Sequence, residues 1–426
     1  MPYFIFESYS FDAKKRIAEF HYSHSDGISF CEKIIFTHVQ EGYNKDVFDR
    51  ALFLAFLTIG TSYYKTFPTR EIKFADHSLD EWQASFANSI YQEGLSQFAF
   101  ENDLKRDNLA YFTASSSEET IPAVYKGGGI LALQSGGKDS LLSAVLLQKN
   151  NNSFLPWYLA SANQYPALLN KLDKPVITAQ RQIDHPALKS AAQQGALNGH
   201  VPVTYIVLSI ALLEAILNNI NTVIASIGHE GEEPHATIGD LNITHQWSKT
   251  WQAEKLFAEY VQRYISKDIN VGSPLRGYSE LYITELFAQY AWKEFGHTFS
   301  SCNQANYKQG QNNQRLTWCG NCAKCANSYL LFSPFIHPTE LKDIFNGEDL
   351  FLKASLQDDF KGLLGIDEMM KPFECVGEVD ELRRAYYMSQ ERWGNEAQKL
   401  SFIIPDSLFD YKKTYPMQDW AKQLLF

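Results

Sequence analysis

The stretch Leu131–Leu147, LALQSGGKDSLLSAVLL, decides the fold. An apolar run enters a small glycine-bearing turn, and an apolar-periodic segment leaves it. That pattern reads as strand, tight turn, helix. It is not a Walker phosphate loop, G-x-x-x-x-G-K-S/T. Counting back from Gly137-Lys138, the first glycine position holds Ala132, and Asp139 replaces the Ser/Thr that would meet Mg²⁺. A G-x-G-x-x-G dinucleotide fingerprint is also absent. The context still suits an anion, because consecutive N–H groups and the dipole at a helix start attract negative charge. Gly136 and Gly137 let backbone approach an oxygen cluster, Ser135 and Ser140 add hydroxyls, and Lys138 adds a charge. Asp139 would repel a phosphate, so it is expected to cap loop N–H groups or to face a metal ion. A helix cap without a ligand is the plainer reading, and six consecutive residues S-G-G-K-D-S in this setting weigh against it.

Outward from the turn, short apolar runs GILAL, SFLPWYLA, PVITA and NTVIASI alternate with helical segments, including Asp139–Gln148 and Pro202–Asn218. Such alternation implies an α/β fold, a doubly wound parallel sheet with helices on both faces. Ligands then bind beyond the carboxyl ends of the strands. Those ends are Ser135–Ser140, Ser161–Gln164, Gln180–Asp184 and Gly228–His235. Upstream, residues 3–39 alternate as three strands with a turn at HSDG, and residues 45–66 and 79–100 carry helical stripes. The expected organisation is an N-terminal α+β domain over 1–125, a domain over 126–300 bearing the glycine turn, a cysteine-rich metal-binding region over 301–335, and a helical region over 336–426.

The 426 residues are 45% hydrophobic, enough for a large core, and the formal net charge of -11 argues against a general nucleic-acid surface. No basic n-region precedes an apolar stretch at the start, so secretion is not expected. The longest apolar run, Val201–Leu217, is short for a membrane span and carries Glu214, so it reads as a buried helix. Cys302, Cys319, Cys322 and Cys325 fall within 24 residues, a spacing that speaks for metal or redox chemistry in a reducing compartment. The expectation is a cytoplasmic protein acting on small molecules, with neither membrane nor nucleic acid as partner.

Four thiolates, three of them in C-x-x-C-x-x-C, suit a closed tetrahedral Zn²⁺ site of structural role. An iron–sulfur cluster or unmetallated thiols are the alternatives. Gly320 would allow the tight turn around metal-bound sulfur. Cys31 and Cys375 read as ordinary buried thiols. The run GHEGEEPH followed by LNITHQWSKTW gathers His229, Glu230, Glu232, Glu233, His235, His245 and Lys249 near one strand end. Such groups could hold Mg²⁺ or move protons, and Glu232 and Glu233 read more simply as a solvated acidic loop. His245 and Lys249, at i and i+4, would share a helix face. In SPLRGYSELYITELF, Ser279 is a candidate N-cap with Tyr282 at the third helical position, and Arg276 is either an anion clamp or a surface charge.

At Ser135, Gly136, Gly137, Asp139 and Ser140 the chain resembles the PP-loop ATP pyrophosphatases, a HUP-like fold whose S-G-G-x-D-S turn binds the pyrophosphate end of ATP. The resemblance implies an ATP site formed by these residues with Lys138, and Ser161 at the next strand end joins that expected set. The helix after Pro274 followed by the cysteine knot also occurs in 7-cyano-7-deazaguanine synthases. The motifs FIFESYSFD, SGGKDS, ALNGHVPVT, NITHQWSKTW, SPLRGYSEL and WCGNCAKCANSYLLFSPF together resemble the ATP-dependent UDP-MurNAc-L-Ala-L-Glu epimerases of MurL type, across most of residues 4–335. One departure is GHEGEEPH, where an N-E-x-S-A-N-like run is expected. The resemblance implies adenylation of a glutamate α-carboxylate, inversion at the α-carbon, release of AMP and PPi, and use of Mg²⁺ and a structural Zn²⁺. On that basis His245 is the first candidate base, with Lys249, His229 and Glu230 beside it, and Arg276, Arg181 or Lys249 would clamp the substrate's anionic groups. The rivals are another carboxylate-adenylating enzyme (amide- or nitrile-forming, or sulfur-transferring) and a non-catalytic nucleotide-binding module.

Overall fold

The structure is a computed structural model that describes residues 2–117, 120–162, 164–308, 314–393 and 399–425. Asn163, in the second of the strand ends named above, lies outside them. The strands run β1 (Tyr3–Asp12), β2 (Ile17–His24), β3 (Ser29–Phe36), β4 (Glu71–Phe74), β5 (Ile130–Leu133), β6 (Phe154–Ala160), β7 (Ile177–Gln182), β8 (Thr222–Ile224), β9 (Ala236–Ile238), β10 (Leu241–Ile243) and β11 (Asn270–Gly272). Nine of them form one sheet in the order β11-β8-β5-β6-β7-β3-β2-β1-β4. The five from β11 to β7 are parallel. β3 then joins β7 antiparallel, with Lys33 opposite Gln182, so the N-terminal strands extend the same sheet. β9 and β10 form a separate ribbon that the sequence pattern did not announce.

The parallel strands alternate between two cores. Leu131, Trp157 and Val223 enter a core with the helices Lys45–Ile59, Glu81–Gln92 and Val203–Leu217. Their neighbours Ala132, Tyr158 and Ile224 face the opposite core, with Lys138–Lys149, Glu280–Tyr290 and Ala323–Phe332. Strands covered on both faces need apolar residues at successive positions, which is why GILAL and NTVIASI read as continuous runs. β5 leads through the helix Lys138–Lys149 to β6 on one side, and β8 lies on its other side. The strand order therefore reverses at β5, and a crevice opens at the carboxyl ends of β5 and β8.

Val203–Leu217 is the buried helix expected from its composition, and no described helix is long and apolar enough to cross a membrane. Its Glu214 is fully buried and accepts hydrogen bonds from Trp157 Nε1 at 3.2 Å and Asn218 Nδ2 at 3.0 Å. Burial pushes its carboxyl up to about 8, against those two bonds. The folded chain therefore holds a proton that the unfolded chain releases near pH ~4.3, and stability from this group falls as pH rises between those values. Glu214→Gln keeps the shape without the titration. The stability difference between the two proteins, read by denaturant melts, should shift in favour of the Gln variant from pH 5 to pH 8; a difference independent of pH would count against a neutral Glu214.

The C-terminal region holds the helices Pro338–Ile344, Gln357–Leu363 and Val379–Trp393. A largely irregular tail then returns to the sheet edge, where Gln418 Nε2 donates to Val271 O at 2.8 Å and Tyr415 N–H donates to Gly277 O at 2.9 Å. One local expectation is corrected. His245 and Lys249 do not share a helix face, because Gln246 takes a left-handed φ of 56° and separates them; only Trp247–Lys249 forms a single 3-10 turn.

Candidate active site

The glycine turn is built as its residues suggest. Ser135 N–H donates to Ser140 Oγ at 3.2 Å, and Gly137 N–H donates to Ser135 Oγ at 3.2 Å. Gly136 sits at φ +78°, where a Cβ would also meet Leu316 Cδ1 at 2.5 Å. Gly137 N-caps the helix Lys138–Lys149 without a side-chain cap bond of its own, at the end of the helix that attracts anions.

Beside the turn lies a cavity of about 300 Å³. Gln134, Ser135, Gly137, Asp139 and Ser140 form one wall, Ala225, Ser226 and Ile227 beyond β8 another, and Lys249, Ser300, Ser301, Lys324 and Cys375 close it. This is the crevice at the reversal of strand order. Gln134 is 6% exposed, and neither polar atom of its amide has a partner. A buried, unsatisfied amide costs free energy unless a ligand meets it. A larger open hollow of about 1450 Å³ lies elsewhere, between Trp82, Ser115 and Arg263, and contains none of the motif residues.

The sequence-predicted residues divide into those at the cavity and those away from it. Lys138 is buried, and its ammonium contacts Asp139 and Glu280 Oε2, the latter at 2.8 Å. Burial pulls against its charge, but the two carboxylates hold its pKa above the ordinary value. Glu280 itself is pushed up to about 6, by burial first and by Asp139 second. Asp139 thus answers to Lys138 while still lining the cavity. Lys249 lines it too, 3.4 Å from both carboxylate oxygens of the buried Glu230. Burial would discharge that ammonium, but Cys375, Glu230, Asp139 and Glu280 raise its pKa and keep it charged. Glu230 lies behind Lys249, and the lysine's charge, opposing burial, lowers its carboxyl.

His245, His229, Ser161, Arg276 and Arg181 do not line the cavity. His245 is pushed down to about 2, by burial first and then by the neighbouring cations and imidazoles. His229 stacks on Tyr415 with ring centroids 3.5 Å apart, and burial with the Arg276 charge lowers it to about 4. Ser161 is exposed and its carbonyl accepts Gln180 Nε2 at 3.1 Å. Arg276 is fully buried and bonds Glu254 Oε2 at 2.9 Å and Gly228 O at 2.7 Å. Arg181 forks onto Glu32 at 2.7 and 3.1 Å and reaches Ser62 Oγ at 2.8 Å. Both guanidiniums are engaged inside the protein. Glu232 and Glu233 are engaged as well, with Trp251 N–H at 2.6 Å and Lys371 at 2.9 Å.

Cys302, Cys319, Cys322 and Cys325 converge, with their sulfurs all within 4.8 Å of one another. Three of the six Sγ···Sγ separations, 3.6, 3.7 and 3.8 Å, lie near the ~3.8 Å edge of a tetrahedron with Zn–S bonds of ~2.3 Å. Gly320 turns at φ +63° inside the knot, as expected. The cluster borders the cavity. Ser300 N–H reaches Gly136 O at 3.4 Å just before Cys302, and Lys324 projects into the cavity from between two of the cysteines. Gln134, Lys324 and Cys375 also line the cavity, though the sequence did not single them out for it. The first two stand inside or beside recognised motifs, and Cys375 carries no local signal.

The fold and site define an α/β protein with a cavity at a glycine turn, bordered by a four-thiol cluster that could hold a metal. Among known families, the chain matches the MurL N-terminal domain over residues 1–273 and the MurL C-terminal domain over residues 298–404. It belongs to the MurL family. It is 31% identical over 94% of its length to UDP-N-acetyl-alpha-D-muramoyl-L-alanyl-L-glutamate epimerase of Xanthomonas oryzae pv. oryzae, covering 89% of that protein. It is 32% identical over 95% of its length to the protein of the same name from Salinispora tropica, covering 88% of it. A Micromonospora protein of that name is 30% identical over 92% of the chain, with 88% of its own length covered.

Proposed function

We propose that this chain is a cytoplasmic, ATP-dependent epimerase of peptidoglycan precursor synthesis, converting the terminal L-glutamate of UDP-MurNAc-L-Ala-L-Glu to D-glutamate on a PP-loop, HUP-like fold. The observation that carries this reading is likeness to epimerases of that name along more than nine-tenths of the chain. The cavity supplies the chemical rationale.

A free carboxylate makes the neighbouring α-proton hard to remove, because the resulting carbanion would place charge on an anion. Transfer of AMP to the carboxylate removes that charge and creates an electron sink. An ordinary side chain can then take the α-proton, reprotonation from the other face inverts the centre, and hydrolysis returns the acid with AMP and PPi. In this reading the N–H groups at the glycine turn, with Ser135 and Ser140, hold the phosphates at the open helix end. Lys249 faces them across the cavity as the charged clamp, and Asp139, at the wall, is the residue placed to meet Mg²⁺. Mg²⁺ would offset the charge of the departing pyrophosphate. Lys138, held by Asp139 and Glu280, keeps the Asp139 carboxylate in place. A Zn²⁺ in the four-thiol cluster would act structurally, fixing Ser300, Ser301 and Lys324 at the cavity wall. Arg276 and Arg181 serve as internal braces.

The reading is tested by incubating the protein with UDP-MurNAc-L-Ala-L-Glu, ATP and Mg²⁺, hydrolysing the product and resolving glutamate by chirality. D-glutamate accompanied by AMP supports it. Complete retention of L-glutamate, with an amide or nitrile formed once ammonia is supplied, would transfer the chain to the rival adenylating class.

A further inference from the structure

We infer that Cys375 supplies one of the two proton-transfer groups that face the substrate's α-carbon; this rests on the epimerase reading above. Cys375 lies outside the four-thiol cluster and lines the cavity with Ser135, Gly137 and Lys249. It is neither fully buried nor disulfide-bonded. Its carbonyl holds the Lys324 ammonium, which fixes its backbone at the cavity wall.

A chain of hydrogen bonds aims its sulfur. Gln97 Nε2 donates to Glu101 Oε1 at 2.7 Å, and a carboxylate can only accept. The Gln97 amide is thereby oriented with Oε1 outward, 2.7 Å from His245 Nδ1. Nδ1 must then carry the imidazole proton, and Nε2 presents its lone pair to Cys375 Sγ at 3.7 Å. At rest the thiol proton points to His245 while the sulfur sits at the cavity wall, and rotation about the Cβ–Sγ bond turns the S–H into the cavity. Because burial keeps His245 uncharged, the ring preserves this polarity at neutral pH. The Lys249 ammonium lines the same cavity as this sulfur. A second observation marks the cavity independently as a ligand site. Gln134, more than nine-tenths buried, lines the cavity with both polar atoms unpartnered.

The step balances without a redox partner. On one face a base takes the α-proton, and the C–H electron pair moves into the activated carbonyl as an enolate. On the other face the Cys375 S–H bond breaks, its electrons stay on sulfur, and the enolate's carbon–carbon π pair forms the new C–H bond to that proton. The thiolate regains a proton from solvent. In the reverse direction the thiolate acts as the base.

The test compares wild type with Cys375→Ser and Cys375→Ala, each given UDP-MurNAc-L-Ala-L-Glu, ATP and Mg²⁺, and reads D-glutamyl product formed per AMP released. A positioned acid or base contributes roughly 10²–10⁴-fold. The ratio should fall at least about 100-fold in both variants while AMP still appears. A ratio within threefold of wild type overturns the inference. So does loss of AMP release in variants whose melting curves match wild type, since the thiol would then serve binding or adenylation. If neither variant folds, the wild-type protein alkylated with iodoacetamide decides. Modification mapped to Cys375 should abolish D-glutamyl product, and preincubation with substrate and ATP should slow the labelling; undiminished product on the labelled protein overturns it. Wild type that makes no AMP and no D-glutamate defeats the epimerase reading instead, so the two failures are distinct.

Discussion

A Lys249→Ala protein is expected to form D-glutamyl product about 10²–10³-fold more slowly than wild type, the range for losing a preorganised charge at a reacting centre. Two effects combine. In the proposed reading the cavity loses the cation that would offset phosphate charge beside the glycine turn. Glu230, 7% exposed in its side chain and paired with Lys249, is left as a buried carboxylate without its partner. Removing one member of a buried pair commonly costs about 3–5 kcal/mol of stability. The two effects separate in the double variant Lys249→Ala with Glu230→Gln. Its melting temperature should recover most of the loss, and its turnover should not. Lys249→Arg should recover part of the activity, because charge returns with altered reach. Turnover within threefold of wild type in Lys249→Ala would remove this lysine from the site.

Replacing Cys302 or Cys325 by Ser is expected to abolish stoichiometric zinc binding and the cooperative folding of the cavity wall. Structural zinc in small thiolate sites contributes on the order of 10 kcal/mol to folding. Here that free energy would be coupled to the glycine turn, because Cys302 N–H donates to Ser300 Oγ at 3.1 Å and Ser300 N–H reaches Gly136 O at 3.4 Å. Wild type should carry one zinc per chain by elemental analysis, and a strong chelator should lower its melting temperature and its AMP release together. The Ser variants should already show both losses and respond no further to chelator. Iron in place of zinc would change the identity of the metal, and full stability after complete metal removal would refute the structural role.

Much of the frame could be read from the chain, for physical reasons. Strands covered on both faces must be apolar at successive positions, so β5, β6, β7 and β8 stand out as short runs. Half-covered strands alternate, so β1, β2 and β3 do too. The Ser279 cap is a local event, and its hydroxyl accepts from Tyr282 N–H at 3.2 Å as its spacing implies. The cysteine knot is legible because metal geometry dictates spacing. What escaped is long-range. The antiparallel pairing of β3 with β7 joins residues some 150 apart, and no local pattern encodes it. Arg276 read as either an anion clamp or a surface charge because its partner, Glu254, lies in the helix Trp251–Tyr260, outside its local sequence. The helix expected through His245 fails at one backbone dihedral, that of Gln246. Cys375 gave no sign of its position because a single thiol has no periodicity; only the fold brings it against His245.

If the glycine-turn cavity activates a glutamate carboxylate, the α-proton of that glutamate becomes exchangeable. The most direct measurement is incubation of the intact protein with UDP-MurNAc-L-Ala-L-Glu, ATP and Mg²⁺ in D₂O, with mass and NMR analysis of the glutamyl α-carbon. Deuterium should appear at that carbon in the D-configured product, with AMP formed alongside and no deuterium when ATP is omitted. AMP without deuterium, or deuterium incorporated equally without ATP, would contradict it.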